Sequence, residues 1–386
     1  MEILVVATPI PADDTPPMKK VLMVADPFGF GGVGSLMSCR ELLSPLDLTF
    51  RFLIPAFARD LVDAAHREHC TFYEGKRAPI EAHLPWCDIL WSATESHSIH
   101  EAAKAGKRVI FYDPIFWFWA TVSPFHVPDM LYLCQNFPGV PERVQALPPA
   151  IRSTLRVVAP RTFPRPAKRP SDAPPHLLVN LCGLHNPVRI LHGYTELVTS
   201  CLLDALADTR WARVTIAGWR PELAHIERRD PRVVCRPLSH EEMIQGMSTA
   251  DLLLSSPGLN SAMEAMALGT PVVFLPSQNA SQARQLRTFV AHGLTPTATD
   301  WDTLADTPTR WEDLDDPQAM DRFAQLLETC AASPERVDAL RKVLSELVRL
   351  DPPALASVAD KQAEFFASLS RGHGSLAEVL AAEGIG

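Results

Sequence analysis

Residues 251–286 hold the densest set of side chains whose types and spacing suit chemistry. An apolar run ends at Ser255, a small turn Ser256-Pro257-Gly258-Leu259-Asn260 follows, and helical spacing resumes near Ser261. A helix that starts after such a turn leaves its first backbone N–H groups free and presents its positive dipole end, which suits a phosphate. Glu264, three residues after Ser261, reads in two ways: it closes a capping box, or it accepts hydrogen bonds from a ribose diol while phosphates sit on the helix start. A tight Gly269-Thr270-Pro271 turn leads into the strand-like 271–275, and the polar loop 276–282 (PSQNASQ) follows. In an open parallel sheet ligands collect beyond the carboxyl ends of the strands, so the two polar loops share one rim.

A second set lies near the start. The strand-like 20–26 (KVLMVAD) feeds Gly29-Phe30-Gly31-Gly32-Val33-Gly34-Ser35. The context is strand to helix, but the spacing is not that of a G-x-G-x-x-G dinucleotide fingerprint. Gly31, Gly32 and Gly34 either let the helix pack close to the sheet or leave bare backbone that admits a ligand into a cleft. Proton abstraction near neutral pH calls for a carboxylate or imidazole on a loop at a strand end. Glu95, His97 and Asp113 are the first candidates and Asp26 the next; for each, a helix cap or a solvated loop position is the plainer reading. Ser98 with Glu101 reads as a capping box. Trp117 and Trp119, in 115–120 (IFWFWA), are either core or the wall of a pocket for a planar ligand. Arg220 follows a strand-like run and is either a diphosphate contact or an exposed arginine.

The elements that must position these residues alternate between short apolar runs and longer helix-period segments, the α/β pattern of parallel sheets covered by helices. Strands are expected at 20–26, 48–53, 88–92, 108–112, 176–181, 212–217, 233–236, 251–255 and 271–275, with a helix at 60–68 among others. After about 315 the chain reads only as helices: 317–331, 334–348 and 353–368. At 386 residues, two or three domains are expected. The division is an N-terminal extension 1–17, a Rossmann-like domain 18–160, a proline-rich linker 161–175, a second Rossmann-like domain 176–350, and helices 351–386 that pack back on the first half. Six prolines between 160 and 175 rule out regular structure there. A formal charge of -9 and the lack of a dense basic run outside that linker argue against nucleic-acid binding. No apolar stretch is long enough to span a bilayer and no basic start precedes 1–7, so a cytoplasmic protein without an integral membrane segment is expected. The eight cysteines form neither a CxxC pair nor a metal-spaced cluster, so no metal site is expected. A homodimer is compatible with the sequence.

The segment from about 176 to 295 resembles the donor-sugar signature of inverting GT-B glycosyltransferases, in particular the family of the lipid II N-acetylglucosaminyltransferase and the related natural-product glycosyltransferases. The resemblance rests on Ser256-Pro257-Gly258, Glu264, Ala267-Leu268-Gly269-Thr270-Pro271 and Pro276-Ser277-Gln278-Asn279-Ala280-Ser281-Gln282. It implies two doubly wound domains facing across a cleft. By the same resemblance Glu264 holds the ribose hydroxyls, and Gly258, Leu259 and Asn260 flank the phosphates. Gln278, Asn279 and Gln282 contact the hexose, while Leu238 and Gly183 belong to the segments that meet the base and the end of the first strand of the second domain. One departure stands out: many relatives carry a His in the first glycine-rich loop as general base, and none lies between Gly29 and Arg40. The activity implied is metal-independent, inverting transfer of a hexose from a UDP- or dTDP-sugar to a small acceptor, with a specialised metabolite favoured and no cofactor beyond the sugar nucleotide. The alternatives are a nucleotide-sugar 2-epimerase, a pseudo-glycosyltransferase joining non-sugar cyclitols, and a non-catalytic sugar-nucleotide-binding accessory protein.

Overall fold

The computed structural model describes residues 18–162, 173–181, 184–186, 188–226, 230–297 and 299–385. The first half is a seven-stranded parallel sheet: β1 (Lys19–Ala25), β2 (Leu48–Pro55), β3 (Cys70–Tyr73), β4 (Ile89–Ala93), β5 (Arg108–Asp113), β6 (Leu131–Gln135) and β7 (Leu155–Val158), ordered β3-β2-β1-β4-β5-β6-β7. The second is a five-stranded parallel sheet of β8 (His176–Asn180), β9 (Arg213–Ala217), β10 (Val233–Cys235), β11 (Leu252–Ser255) and β12 (Val272–Phe274), ordered β10-β9-β8-β11-β12. Strands covered by helices on both faces must be apolar throughout, and every residue of β4, β6, β8 and β11 is buried. In each sheet the strand order reverses once, between β1 and β4 and between β8 and β11, and loops leaving the strand ends at such a point open a crevice. The chemically loaded loops after β1 and β11 are both at these reversals.

Three elements depart from the sequence expectation. The helix expected at 60–68 is a pair of 3₁₀ stretches, Ala56–Leu61 and Ala64–His69, because Asp63 between them is extended (φ -62°, ψ 144°). Strands β3, β6 and β7 were not expected. They are four or five residues long, too short for periodicity to separate strand from buried loop. The extension 1–17 and most of the proline-rich linker lie outside the described residues.

The two halves share apolar packing. One continuous cluster joins Leu90, Phe111 and Tyr132 of the first sheet to Leu178, Leu253, Met263 and Phe289 of the second half. The helix Pro352–Ser370 then covers the outer edge of β12: Gln362 accepts from the Val272 N–H and donates to the carbonyls of Val272 and Leu294. Buried edge groups are thereby satisfied rather than orphaned. Beyond it the chain returns to the first half. Ala159 N–H bonds the Gly374 carbonyl, Lys19 reaches the Gly384 carbonyl, and Arg156 pairs with Glu383 at 2.9 Å.

Candidate functional site

Three helices begin at one cleft between the halves. They are Gly31–Leu42 after β1, Leu259–Leu268 after β11, and Ala280–Ala291 after β12. Their first residues, among them Gly31, Leu259 and Ala280, line a cavity of roughly 270 Å³. Each start presents the positive end of a helix dipole, and the Gly31 and Leu259 starts, unlike the Asn279-capped third, have no side-chain cap, so the cleft floor suits negative charge from both domains. Neither glycine-turn helix carries an acid in its first turn. At Gly32 the close-packing reading of the glycine loop holds: a Cβ there would come within 3.1 Å of the Asp26 nitrogen. Gly31 meets nothing within 4 Å, and Gly34 faces the Asn260 amide across the domain boundary.

Glu264 is 4% exposed yet lines the cleft. Its Oε1 lies 2.9 Å from Ser38 Oγ, on the first-half helix, and 3.1 Å from His240 Nε2; Ser38 Oγ and His240 Nε2 are 2.9 Å apart. Burial alone drives a carboxyl pKa up, but the His240 charge and the Arg161 guanidinium outweigh it and hold Glu264 below the ordinary carboxylate value. His240 moves the other way. Burial pulls it down, and the Glu264 carboxylate more than restores it, leaving it above the usual histidine value. Glu264 therefore closes no capping box; the start of its helix has no side-chain cap. Next to it Asn260 pins the halves together. Its Oδ1 accepts from the buried Arg161 at 2.6 Å and its Nδ2 donates to the Gly31 carbonyl at 2.8 Å.

Among the other donor-side candidates, Gly258, Leu259, Leu238, Asn279, Gln282 and Arg220 all line the cleft. Asn279 caps its own helix by accepting from Gln282 N–H. Gln278 does not reach the cleft: its amide donates to Ser256 Oγ at 2.7 Å, and its backbone N–H is taken by Gln282 Oε1, so it fastens the loop to β11. Gly183 lies outside the described residues. Arg220 is exposed and makes a two-pronged ion pair with Asp60 of the first half, both contacts 2.9 Å, across the cleft mouth. His185 stacks on Phe57 with ring centroids 3.6 Å apart, a second crossing nearby.

The base candidates separate cleanly. Glu95 is the N-cap of the helix Ser96–Lys104, accepting from the N–H groups of His97 and Ser98, so its carboxylate is a structural cap and the Ser98–Glu101 box does not form. His97 is not in the cleft wall; it faces Glu81 at 3.9 Å on the outer surface. Asp113 is fully buried behind the wall, where it accepts from Ile115 N–H, Trp119 Nε1 and Tyr132 OH. Burial raises it to about 6 against those hydrogen bonds, and its work is to hold the loop that follows β5. Asp26 does line the cleft. One oxygen accepts from Phe28 N–H at 2.9 Å. Burial pushes its pKa up to about 7, against that bond and with help from the charges of Glu95 and Asp316. Trp119 and Phe118 face the cleft, whereas Trp117 points into a recess on the other side of the same loop. Ser38, His240 and Arg161 were not found from the sequence. Nothing in a helix interior, a helix start or a proline-rich run says that it meets Glu264 or Asn260 from a distance of up to 226 residues.

No protein-family model matches the chain, and no curated protein does. Among solved structures the chain is similar to the spinosyn rhamnosyltransferase SpnG complexed with thymidine diphosphate, at 14% identity over 95% of this chain and 100% of that one, with a TM-score of 0.52. It is similar to Arabidopsis thaliana UGT89C1 complexed with quercetin, at 15% identity, 96% and 100% coverage and a TM-score of 0.54. The Streptomyces sp. SF2575 glycosyltransferase SsfS6 matches at 13% identity, 95% and 99% coverage and a TM-score of 0.50. At these identities the likeness fixes the fold, two Rossmann-like domains in the GT-B arrangement.

Proposed function

We propose that the chain is an inverting glycosyltransferase that moves a hexose from a UDP- or dTDP-sugar to a small hydroxylated acceptor. The observation that carries this reading is the meeting of three helix N-termini from two domains beside the Glu264 carboxylate in one cleft. A nucleoside diphosphate has the complementary chemistry: two phosphates for the N–H groups and sugar hydroxyls for the carboxylate, the 2′,3′-diol of UDP or the single 3′-hydroxyl of dTDP. Thymidine diphosphate in one fold neighbour and quercetin in another favour this donor class and a planar acceptor. Phe118 and Trp119 would form the acceptor wall.

Asp26 takes the role of base. As the acceptor oxygen attacks the anomeric carbon, its proton passes to the free Asp26 oxygen. The bond from that carbon to the phosphate oxygen breaks, and the diphosphate leaves with its charge facing the helix starts. A carboxyl with a pKa near 7 is a stronger base than an ordinary aspartate and is still ionised in part at neutral pH. A hydroxyl of the nucleoside sugar would replace Ser38 at Glu264 Oε1, so donor binding exchanges a contact between the domains for a contact with ligand. A specialised metabolite is the favoured acceptor, on the strength of the aromatic wall.

The test is calorimetric titration of the chain with UDP and dTDP, followed by mass-spectrometric screening of UDP- and dTDP-hexoses against phenolic acceptors. Glu264→Gln should weaken diphosphate binding by about 10- to 100-fold, the weight of a charged hydrogen bond. If neither diphosphate binds, or if the wild type and Glu264→Gln bind equally well, the transferase reading fails. Binding with no transfer and no donor turnover would instead favour an accessory protein.

A further inference from the structure

The loop 114–119 has two sides. Its inner side walls the cleft; on its outer side an open recess of roughly 530 Å³ lies between the domains. Trp117 and Arg143 enter it from the first half, and Arg284, Arg287 and Glu312 from the second. Arg143 donates to the carbonyl of Trp119, and Arg284 to that of Phe118 at 3.0 Å, so both guanidinium groups converge on adjacent peptide units of the loop. Among the described residues only Arg287 of the three has carboxylate partners, Asp302 at 2.8 Å and Glu312 at 3.8 Å. Among the described residues Arg143 and Arg284 have no carboxylate within ion-pair distance, although Glu312 and Asp113 act on them from further away. Burial lowers the Arg284 pKa, and Arg143 adds to this while Glu312 opposes it.

Two donors in this wall also lack acceptors. Arg143 Nε and Trp117 Nε1 are buried without a hydrogen-bond partner. Folded proteins pair nearly all such groups, and unpaired donors beside guanidinium groups without a paired carboxylate are complementary to an oxyanion. We propose that the recess binds the carboxylate or phosphate group of a small acid, held by Arg143, Arg284 and the Trp117 indole N–H. Guanidinium groups meet such planar or tetrahedral oxyanions with paired hydrogen bonds, which a lysine ammonium would not do. The Glu312 carboxylate on the rim opposes extended polyanions and leaves small acids preferred. Occupancy would tie the loop to the second domain and so be felt at the opposite, cleft-facing side of Phe118 and Trp119. The proposal does not depend on glycosyl transfer.

The full chain is titrated with inorganic phosphate and with malonate, followed by tryptophan fluorescence and calorimetry, alone and with saturating UDP. Saturable binding that survives UDP is expected, with Arg284→Gln weakening it about tenfold and Trp117→Phe by a smaller factor. Phosphate binding without malonate marks a phosphate ligand, the reverse a carboxylate, and either counts in favour. Failure of both probes to saturate overturns the proposal, as does binding that Arg284→Gln leaves unchanged. If Arg284→Gln does not fold, Trp117→Phe, which keeps a smaller aromatic ring and removes the N–H donor, decides in the same way by calorimetry.

Discussion

Asp26 and Glu264 are both carboxylates in the cleft wall, and their surroundings push them in opposite directions. Burial lifts Asp26 to about 7, whereas Glu264, more deeply buried, is held low by His240 and Arg161. The difference fits the roles proposed for them, one exchanging a proton near neutrality and one staying ionised to hold hydroxyls. Asp26→Asn should lower kcat by roughly 10²- to 10⁴-fold with diphosphate affinity little changed, the weight of a positioned base. In the wild type kcat/KM should climb through about pH 7 as Asp26 ionises; a flat profile there, or full activity in the variant, removes Asp26 from the mechanism. The His240–Glu264 pair sets a second pH dependence. His240, raised in the fold, contributes stability that is fully present below its ordinary 6.5 and lost as pH climbs through the folded value. Glu264, lowered in the fold, contributes above its ordinary 4.5 and loses this as pH falls through the folded value. Melting curves of the wild type against His240→Asn should therefore differ most between about pH 4.5 and 6.5 and converge on the alkaline side.

Single helix starts decide more than their lengths suggest. Gly32 leaves room for the helix to sit against the end of β1, and a methyl there meets the Asp26 backbone at 3.1 Å and 3.3 Å. Gly32→Ala should destabilise by about 1–3 kcal/mol in urea titration, the usual cost of overpacking. Gly31→Ala meets no atom and should be neutral or slightly stabilising, since alanine favours a helix. Equal effects at the two positions would contradict this packing account. Glu95 belongs to the same scale. Its two N–H partners make it a cap, so Glu95→Ala should cost about 1 kcal/mol of stability, read by chemical denaturation. The donor-side elements were readable because each is announced locally: an apolar run, a glycine turn, a helix, a turn with Pro271, another apolar run. Strands β6 and β7, five and four residues long, are too short for periodicity to separate from buried loop, and Glu95 was readable only as an acid near a helix start, with no sign of which way it turned.

Across the whole molecule the cleft is closed by crossings of unequal kind. Arg220–Asp60 is an exposed ion pair, screened by water and salt, whereas Asn260–Arg161 is partly buried and Glu264–Ser38 buried. Asn260→Ala leaves the buried Arg161 guanidinium without that acceptor and should cost about 2 kcal/mol or more in chemical denaturation. Arg220→Ala should leave the melting temperature unchanged; a large loss would mean that the mouth, not the buried seam, holds the halves. The sequence alone determined the α/β class and which residues of the second sheet's strand-end loops reach the cleft rim, because strand-end loops and helix starts are properties of neighbouring residues. Tertiary structure alone decided that Ser38 and His240 share Glu264, that Arg161 enters the seam, that Gln278 turns away, and that Asp26 rather than His97 faces the cleft. Those outcomes depend on where two sheets meet, and contacts between residues up to 226 apart leave no periodic trace in the chain.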